Sequence, residues 1–348
     1  MTRLAVTLLL GLGFAASAGA ESVTVTRFAE NPLVTLSMSA SLGDNANGPT
    51  VIRVPSWVEH PLGRYYMYFA HHKGRFIRLA YADSVHGPWK IYEPGVMKVE
   101  NTAFFRPQPD PVDSPPGAYT HVASPEIYVD DAHRRIVLWV HGVWTEGQKW
   151  PENRADATAW LRQHGYAQFT QTAESSDGLT FRALPAISRQ SYLRVFRHDG
   201  QFFAMARLGR LLRAGDDPRA PFELGPDPFR DSPYANRVRH VAMLERDGVL
   251  HIFFTAMREA PESLLHTTMK LDGDWSTWKI GDVETVLEPA APYECAEMPI
   301  EPSAIGEIDH AARQIRDPDL LVDGKDMYLF YTFCGEQGVA GATVHFGP

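Results

Sequence analysis

The residues of this chain that could do chemistry collect at the starts and ends of short apolar runs. Asp317 and Asp319 flank a proline in Arg316-Asp317-Pro318-Asp319, directly ahead of Leu320-Leu321-Val322. Glu126 stands in Ser124-Pro125-Glu126, ahead of Ile127-Tyr128-Val129, and Asn47, Tyr192 with Arg194, and Arg239 with His240 hold the same place before other runs. His71, His72, His141 and Glu336 follow apolar runs that would otherwise continue. Acidic, basic and imidazole groups of this kind move protons, bind polar ligands or neutralise one another, provided the fold brings them to one cavity. No HxxH or HxH spacing is present, so the histidines read as satisfied core or rim groups rather than metal ligands, and no cofactor is expected.

The elements that must position these groups are strands. From Gly48 the chain reads as a polar start, an apolar run to Val54, a turn near Pro61-Leu62-Gly63, a second run Tyr65 to Ala70, and a third, Ile77 to Ala82. Aromatic and β-branched residues broken by Gly, Pro and Asp are strand-and-turn chemistry. The pattern returns with starts near residues 124, 191, 239 and 317, carrying Asp130-Asp131, Asp199-Gly200, Asp247-Gly248 and Asp323-Gly324 at the hairpin turns. A polar insertion, 147–164, interrupts the second unit and is expected to include a short helix.

Five units at this spacing match the scale of propeller blades with insertions. The last unit stops after three strands, and an orphan alternating stretch, Val23 to Phe28, is placed to supply its fourth. Pairing the two chain ends would close the ring and remove exposed sheet edges. The expectation is an all-β, five-bladed β-propeller forming a single domain over 21–348. A β-sandwich of similar hairpins explains the strands but not the deficit of one strand and surplus of another.

Composition narrows the partners. The 348-residue chain carries a net charge of −9, which argues against nucleic acid or an anionic membrane surface, since both demand a basic face. Arg3, the apolar run Leu4 to Phe14 and the small residues Ala18-Gly19-Ala20 form a secretory leader with cleavage expected after Ala20, so an exported, periplasmic or extracellular protein is expected. No later segment is long and apolar enough to span a bilayer. Cys295 and Cys334 are the only cysteines, and spacing alone leaves open whether they pair.

On Arg316-Asp317-Pro318-Asp319 with Asp323-Gly324 and Tyr328, on Ser124-Pro125-Glu126-Ile127-Tyr128, and on the unit endings Asp177-Gly178-Leu179-Thr180-Phe181 and Gly87-Pro88-Trp89, the chain resembles the five-bladed glycosidases related to glycoside hydrolase family 43. The resemblance implies hydrolysis of a poly- or oligosaccharide with inversion, by an Asp base and a Glu acid. It implies Asp317 as base and Glu126 as acid, with Glu336 in reserve for the acid or for tuning it and Asp319 after it. Such chemistry needs one carboxylate kept ionised and one carboxyl with a raised pKa, about 6.5–9.5 Å apart in an inverting enzyme. Arg194, Arg239, Arg316, His240, His71, His72, His141, Tyr192 and Asn47 are the expected substrate-binding set, and Trp57, Trp144, Trp150 and Trp160 are candidates to stack on sugar faces. The first unit departs from the family pattern: Gly48 precedes its proline where an Asp is usual. A non-catalytic carbohydrate-binding propeller, or a lyase or phosphorylase using the same cavity, are the alternatives.

Overall fold

The computed structural model describes residues 22–107, 110, 118–164 and 168–347. The leader expected over residues 1–20 lies outside them. Five four-stranded antiparallel units are arranged as a five-bladed propeller. Their inner strands are Asn47–Arg53, Ala123–Asp130, Arg194–His198, Val238–Arg246 and Arg316–Asp323, in blades 1 to 5. These strands pack side by side around the ring, blade 5 meeting blades 4 and 1. The ring closes as the chain ends predict: Ser22–Arg27 pairs with Gly338–Gly347, from Ser22 opposite Gly347 to Arg27 opposite Ala342. The insertion in blade 2 carries the helix Arg154–His164. Among the described residues, no helix is long and apolar enough to cross a membrane.

Each gap between blades holds its own core. Tyr66, Tyr68, Ile77 and Leu79 of blade 1 pack on Ile136, Leu138 and Val140 of blade 2, and Phe330 of blade 5 packs on Met67 and Phe69 of blade 1. The strand Tyr65–Ala70 is buried at all six positions. It reads as a continuous apolar run because neighbouring blades cover both of its faces. Large side chains removed fully from water contribute roughly 1.5–3 kcal/mol each, so these interfaces hold the ring together.

One irregularity sets the positions of the polar residues. In blades 1, 2, 4 and 5 the register between the first two strands shifts at the start of the inner strand, between Asn47 and Thr50, Ala123 and Glu126, Val238 and Val241, and Arg316 and Asp319. In three of them the residue before a proline is left-handed: Gly48 at φ +57°, Ser124 at +41° and Asp317 at +49°. A bulge at the same height in several blades turns their strand starts toward one channel mouth. It also explains Gly48, because a Cβ there would stand 2.9 Å from the Ser124 Cα of the next blade. An aspartate cannot be placed at that position of blade 1 without moving backbone.

Candidate active site

Asp317 sits in the bulge of blade 5 and is 1% exposed. One carboxylate oxygen, Oδ2, accepts from Thr332 Oγ1 at 3.0 Å. The other lies 2.7 Å from His240 Nδ1 of blade 4, within ion-pair range though off the line of a directed hydrogen bond. Burial pushes the Asp317 carboxyl up, but the His240 and His72 imidazoles outweigh it and hold Asp317 well below the usual carboxylate range. Burial also dominates at His240 and lowers its pKa despite Asp317. A buried carboxylate held in its ionised form thus faces an imidazole whose neutral form burial favours.

His240 in turn lines a cavity of about 110 Å³ at the channel mouth, together with His72, Tyr192 and Arg239. His121, Gln168, Arg207 and the segment Ile305-Gly306-Glu307 complete its wall. The His240 ring lies 4.5 Å from Tyr192, which lies 4.3 Å from His141. A chain of buried charges supports this wall from behind. Arg239 Nε meets Glu262 at 2.8 Å, Arg316 bridges Glu262 at 3.3 Å and Glu336 at 3.2 Å, and Glu336 reaches His72 Nε2 at 2.9 Å. Burial lowers the His72 pKa, but Glu336 more than reverses it, so His72 is raised. For Glu336 burial pushes up, and His72 and Arg316 bring the net shift below normal.

Several residues expected at the ligand are therefore committed to structure. Arg239 also donates from Nη1 and Nη2 to the carbonyls of Gly306 and Ala304, tying that segment to the cavity wall. Arg316 is fully buried between its carboxylates and Gln314. Asn47 donates to Asn45 at 3.3 Å, and His71 bonds Asp44 at 2.7 Å beside a separate shallow cleft. Trp57 bonds Asp131, and Trp150 packs on Trp160. Among the described residues, no three His, Cys, Asp or Glu side chains are grouped to hold a metal ion.

Glu126 lies neither at the mouth cavity nor beside the Asp317–His240 pair. Its Oε2 takes Arg194 Nη1 at 2.7 Å and its Oε1 takes the Val195 amide at 3.0 Å. Arg194 also donates to the carbonyls of Pro125 and Pro49, each at 2.9 Å, and of Pro318 at 3.4 Å. One guanidinium thus ties the bulges of blades 1, 2 and 5 together. Asp319 lies in the same cluster, 3.8 Å from Arg194, and accepts from the Val51 amide at 2.8 Å. Burial, with the Glu126 charge adding and Arg194 opposing, pushes Asp319 up to about 7. This group borders a second cavity of about 130 Å³.

The proline alignment accounts for the split. The positional counterpart of Asp317 is Ser124, before its proline; the counterpart of Glu126 is Asp319, after its proline. Before its proline, Asp317 stands behind the cavity-lining His240, whereas Glu126 and Asp319, after theirs, meet Arg194. Four cavity residues with polar side chains, His121, Gln168, Arg207 and Glu307, were absent from the sequence-derived set. Arg207 obeys the rule that marked His71 and His141, since it follows the second strand of its blade, Gln201–Ala206. His121 and Gln168 adjoin strand starts, whereas Glu307 lies in an aperiodic connection that gives no sequence signal. That connection is anchored by a disulfide between Cys295 and Cys334. A larger depression, about 900 Å³, lies at the far ends of the inner strands and holds none of the expected site residues.

No protein-family profile matches the sequence. Uncharacterized protein R118 of Acanthamoeba polyphaga mimivirus is 30% identical over 342 residues, covering 91% of this chain and 89% of that one. Among solved structures, a family 43 protein of Bacillus licheniformis superposes with a TM-score of 0.52 at 12% identity, over 93% of this chain. The chain spans about half, 54%, of that longer protein. A family 43 enzyme of Xanthomonas citri gives 0.52 at 10% identity, covering 87% and 88% of the two chains, and an α-L-arabinofuranosidase of Lactobacillus brevis gives 0.50 at 10%, covering 90% and 92%. The chain belongs to the family of the mimivirus R118 protein, and its fold is the five-bladed propeller of the family 43 glycoside hydrolases in divergent form.

Proposed function

We propose that the protein is a glycoside hydrolase working at the mouth cavity, with Asp317 and His240 on the side of the attacking water. The observation that carries this reading is a buried, ionised carboxylate set against an imidazole that lines a cavity, in a propeller shared with family 43 enzymes. Hydrolysis of a glycosidic bond needs a group to take the proton of water and another to protonate the leaving oxygen. Asp317 supplies the fixed negative charge for the first. Glu126 lies outside the cavity, so the acid role passes to Glu307, the carboxyl group in the cavity wall, which accepts from the Tyr119 hydroxyl at 3.2 Å and stands 3.5 Å from Lys73 Nζ.

The choice of substrates follows the solved relatives, which include an α-L-arabinofuranosidase and an enzyme crystallised with xylose and with xylotriose. Incubating the full chain with arabinose-, xylose- and uronate-containing oligosaccharides, and following products by NMR, is expected to show new reducing ends formed with inversion. A second reading has its own observation: His240, Tyr192 and Arg207 in one wall are a base, an acid and a cation suited to β-elimination from a uronate. Unsaturated products would favour elimination over hydrolysis. Binding without any product across the panel would defeat both in favour of a sugar-binding propeller.

A further inference from the structure

We propose that His240 is the catalytic residue that takes the proton from the attacking water, and that Asp317 is a positioning residue acting through it. This rests on the reading of the mouth cavity as the active site. Asp317 Oδ1 lies 2.7 Å from His240 Nδ1 and Oδ2 accepts from Thr332, and the carboxylate is absent from the cavity wall that His240 helps to form. A base must come within hydrogen-bond reach of the proton it removes, directly or through one water. His240 meets that condition. With Nδ1 turned to Asp317, Nε2 is the ring nitrogen left for the cavity, and the Tyr192 ring at 4.5 Å limits how the imidazole can turn.

The step balances without further reactants. His240 Nε2 takes one proton of water as its oxygen bonds to the anomeric carbon. The bond from that carbon to the leaving oxygen breaks with its electron pair going to oxygen, which receives the Glu307 proton. Asp317 remains ionised and stabilises the imidazolium, the part a buried carboxylate plays behind a histidine base in other hydrolases. The lowered His240 pKa keeps the base free at neutral pH. Charged neighbours act on it from other elements and from its own: Asp317 and Glu262 favour the imidazolium, and Arg239, next to it on the same strand, opposes it.

The test compares wild type, His240→Gln, His240→Ala and Asp317→Asn in the full chain. His240→Ala is expected to lose about 10²–10⁴-fold in kcat with KM little changed, and added imidazole to restore part of it. In Asp317→Asn the acid limb of the residual kcat/KM profile is expected to move to lower pH, because removing the carboxylate makes the imidazole harder to protonate. Wild-type kcat in His240→Gln would overturn the assignment while leaving the hydrolase reading intact. An activity-free arm keeps the two separable. In ¹⁵N NMR of the wild-type protein near pH 7, His240 is expected to be neutral with the proton on Nδ1 and Nε2 bare, and a proton on Nε2 would overturn the proposal even if no substrate is turned over.

Discussion

Asp317→Asn is expected to lower kcat by about 10³–10⁴-fold while leaving the circular dichroism spectrum unchanged. The magnitude is that of a carboxylate-to-amide change behind a catalytic histidine, where geometry survives and the imidazole is held in the wrong tautomer. Here the amide would present its own N–H to His240 Nδ1, or lose the acceptor that keeps a proton there. The fold should tolerate the change because Thr332 Oγ1 can still donate to the amide oxygen, now at 3.0 Å from Asp317 Oδ2. Steady-state kinetics on the substrate found by the oligosaccharide panel decides it. Turnover within tenfold of wild type would show that neither Asp317 nor the imidazole it orients drives the reaction.

Arg194→Met is expected to act on stability instead. Arg194 is 8% exposed and joins Glu126 to the bulge carbonyls of three blades. Removing it leaves Glu126 as a buried charge without a cation, beside Asp319, and strips donors from three carbonyls. Breaking a buried pair from one side costs about 3–5 kcal/mol, a large part of the roughly 5–15 kcal/mol that holds a typical domain folded. Thermal or urea unfolding should show the loss, and Arg194→Met combined with Glu126→Leu should recover part of it. A single variant as stable as wild type would mean that the channel cluster is not what ties these blades.

Much of the architecture was legible because local chemistry repeats. Asp-Gly turns at 199–200, 247–248 and 323–324 fix hairpins, and the unpaired stretch at Val23 announces the closing strand. The site was legible only to the level of strand starts. A period-two strand says which residues lie near the mouth, not at what depth, and the bulge doubles that ambiguity by separating Asp317 from Asp319 by a full level of the channel. Reading the prolines as a register would have matched Asp317 to Ser124 and Glu126 to Asp319. Partners remained hidden because they are distant in sequence: Glu126 finds Arg194 68 residues on, and Arg27 finds Glu294 267 residues on. Glu307 had no pattern to mark it, since its position depends on the disulfide-anchored connection and on Arg239 gripping Gly306.

The same logic explains why blade 5 carries the carboxylate. At Gly48 the next blade's backbone leaves no room for a side chain, and at the equivalent place in blade 2 stands Ser124. Among the three proline-marked bulges, only that of blade 5 combines a left-handed residue with an ionisable group. His240 from the neighbouring blade completes the pair across the interface, so the arrangement depends on the packing of blade 5 against blade 4.

A crystal structure of Asp317→Asn soaked with the oligosaccharide that wild type cleaves tests the central claim most directly. A sugar ring is expected in the mouth cavity, with His240 Nε2 near its anomeric carbon through one water and Glu307 near the leaving oxygen. A ring bound instead in the depression at the far ends of the inner strands, beside Arg53, Arg64, Asp83 and Asp131, would contradict it.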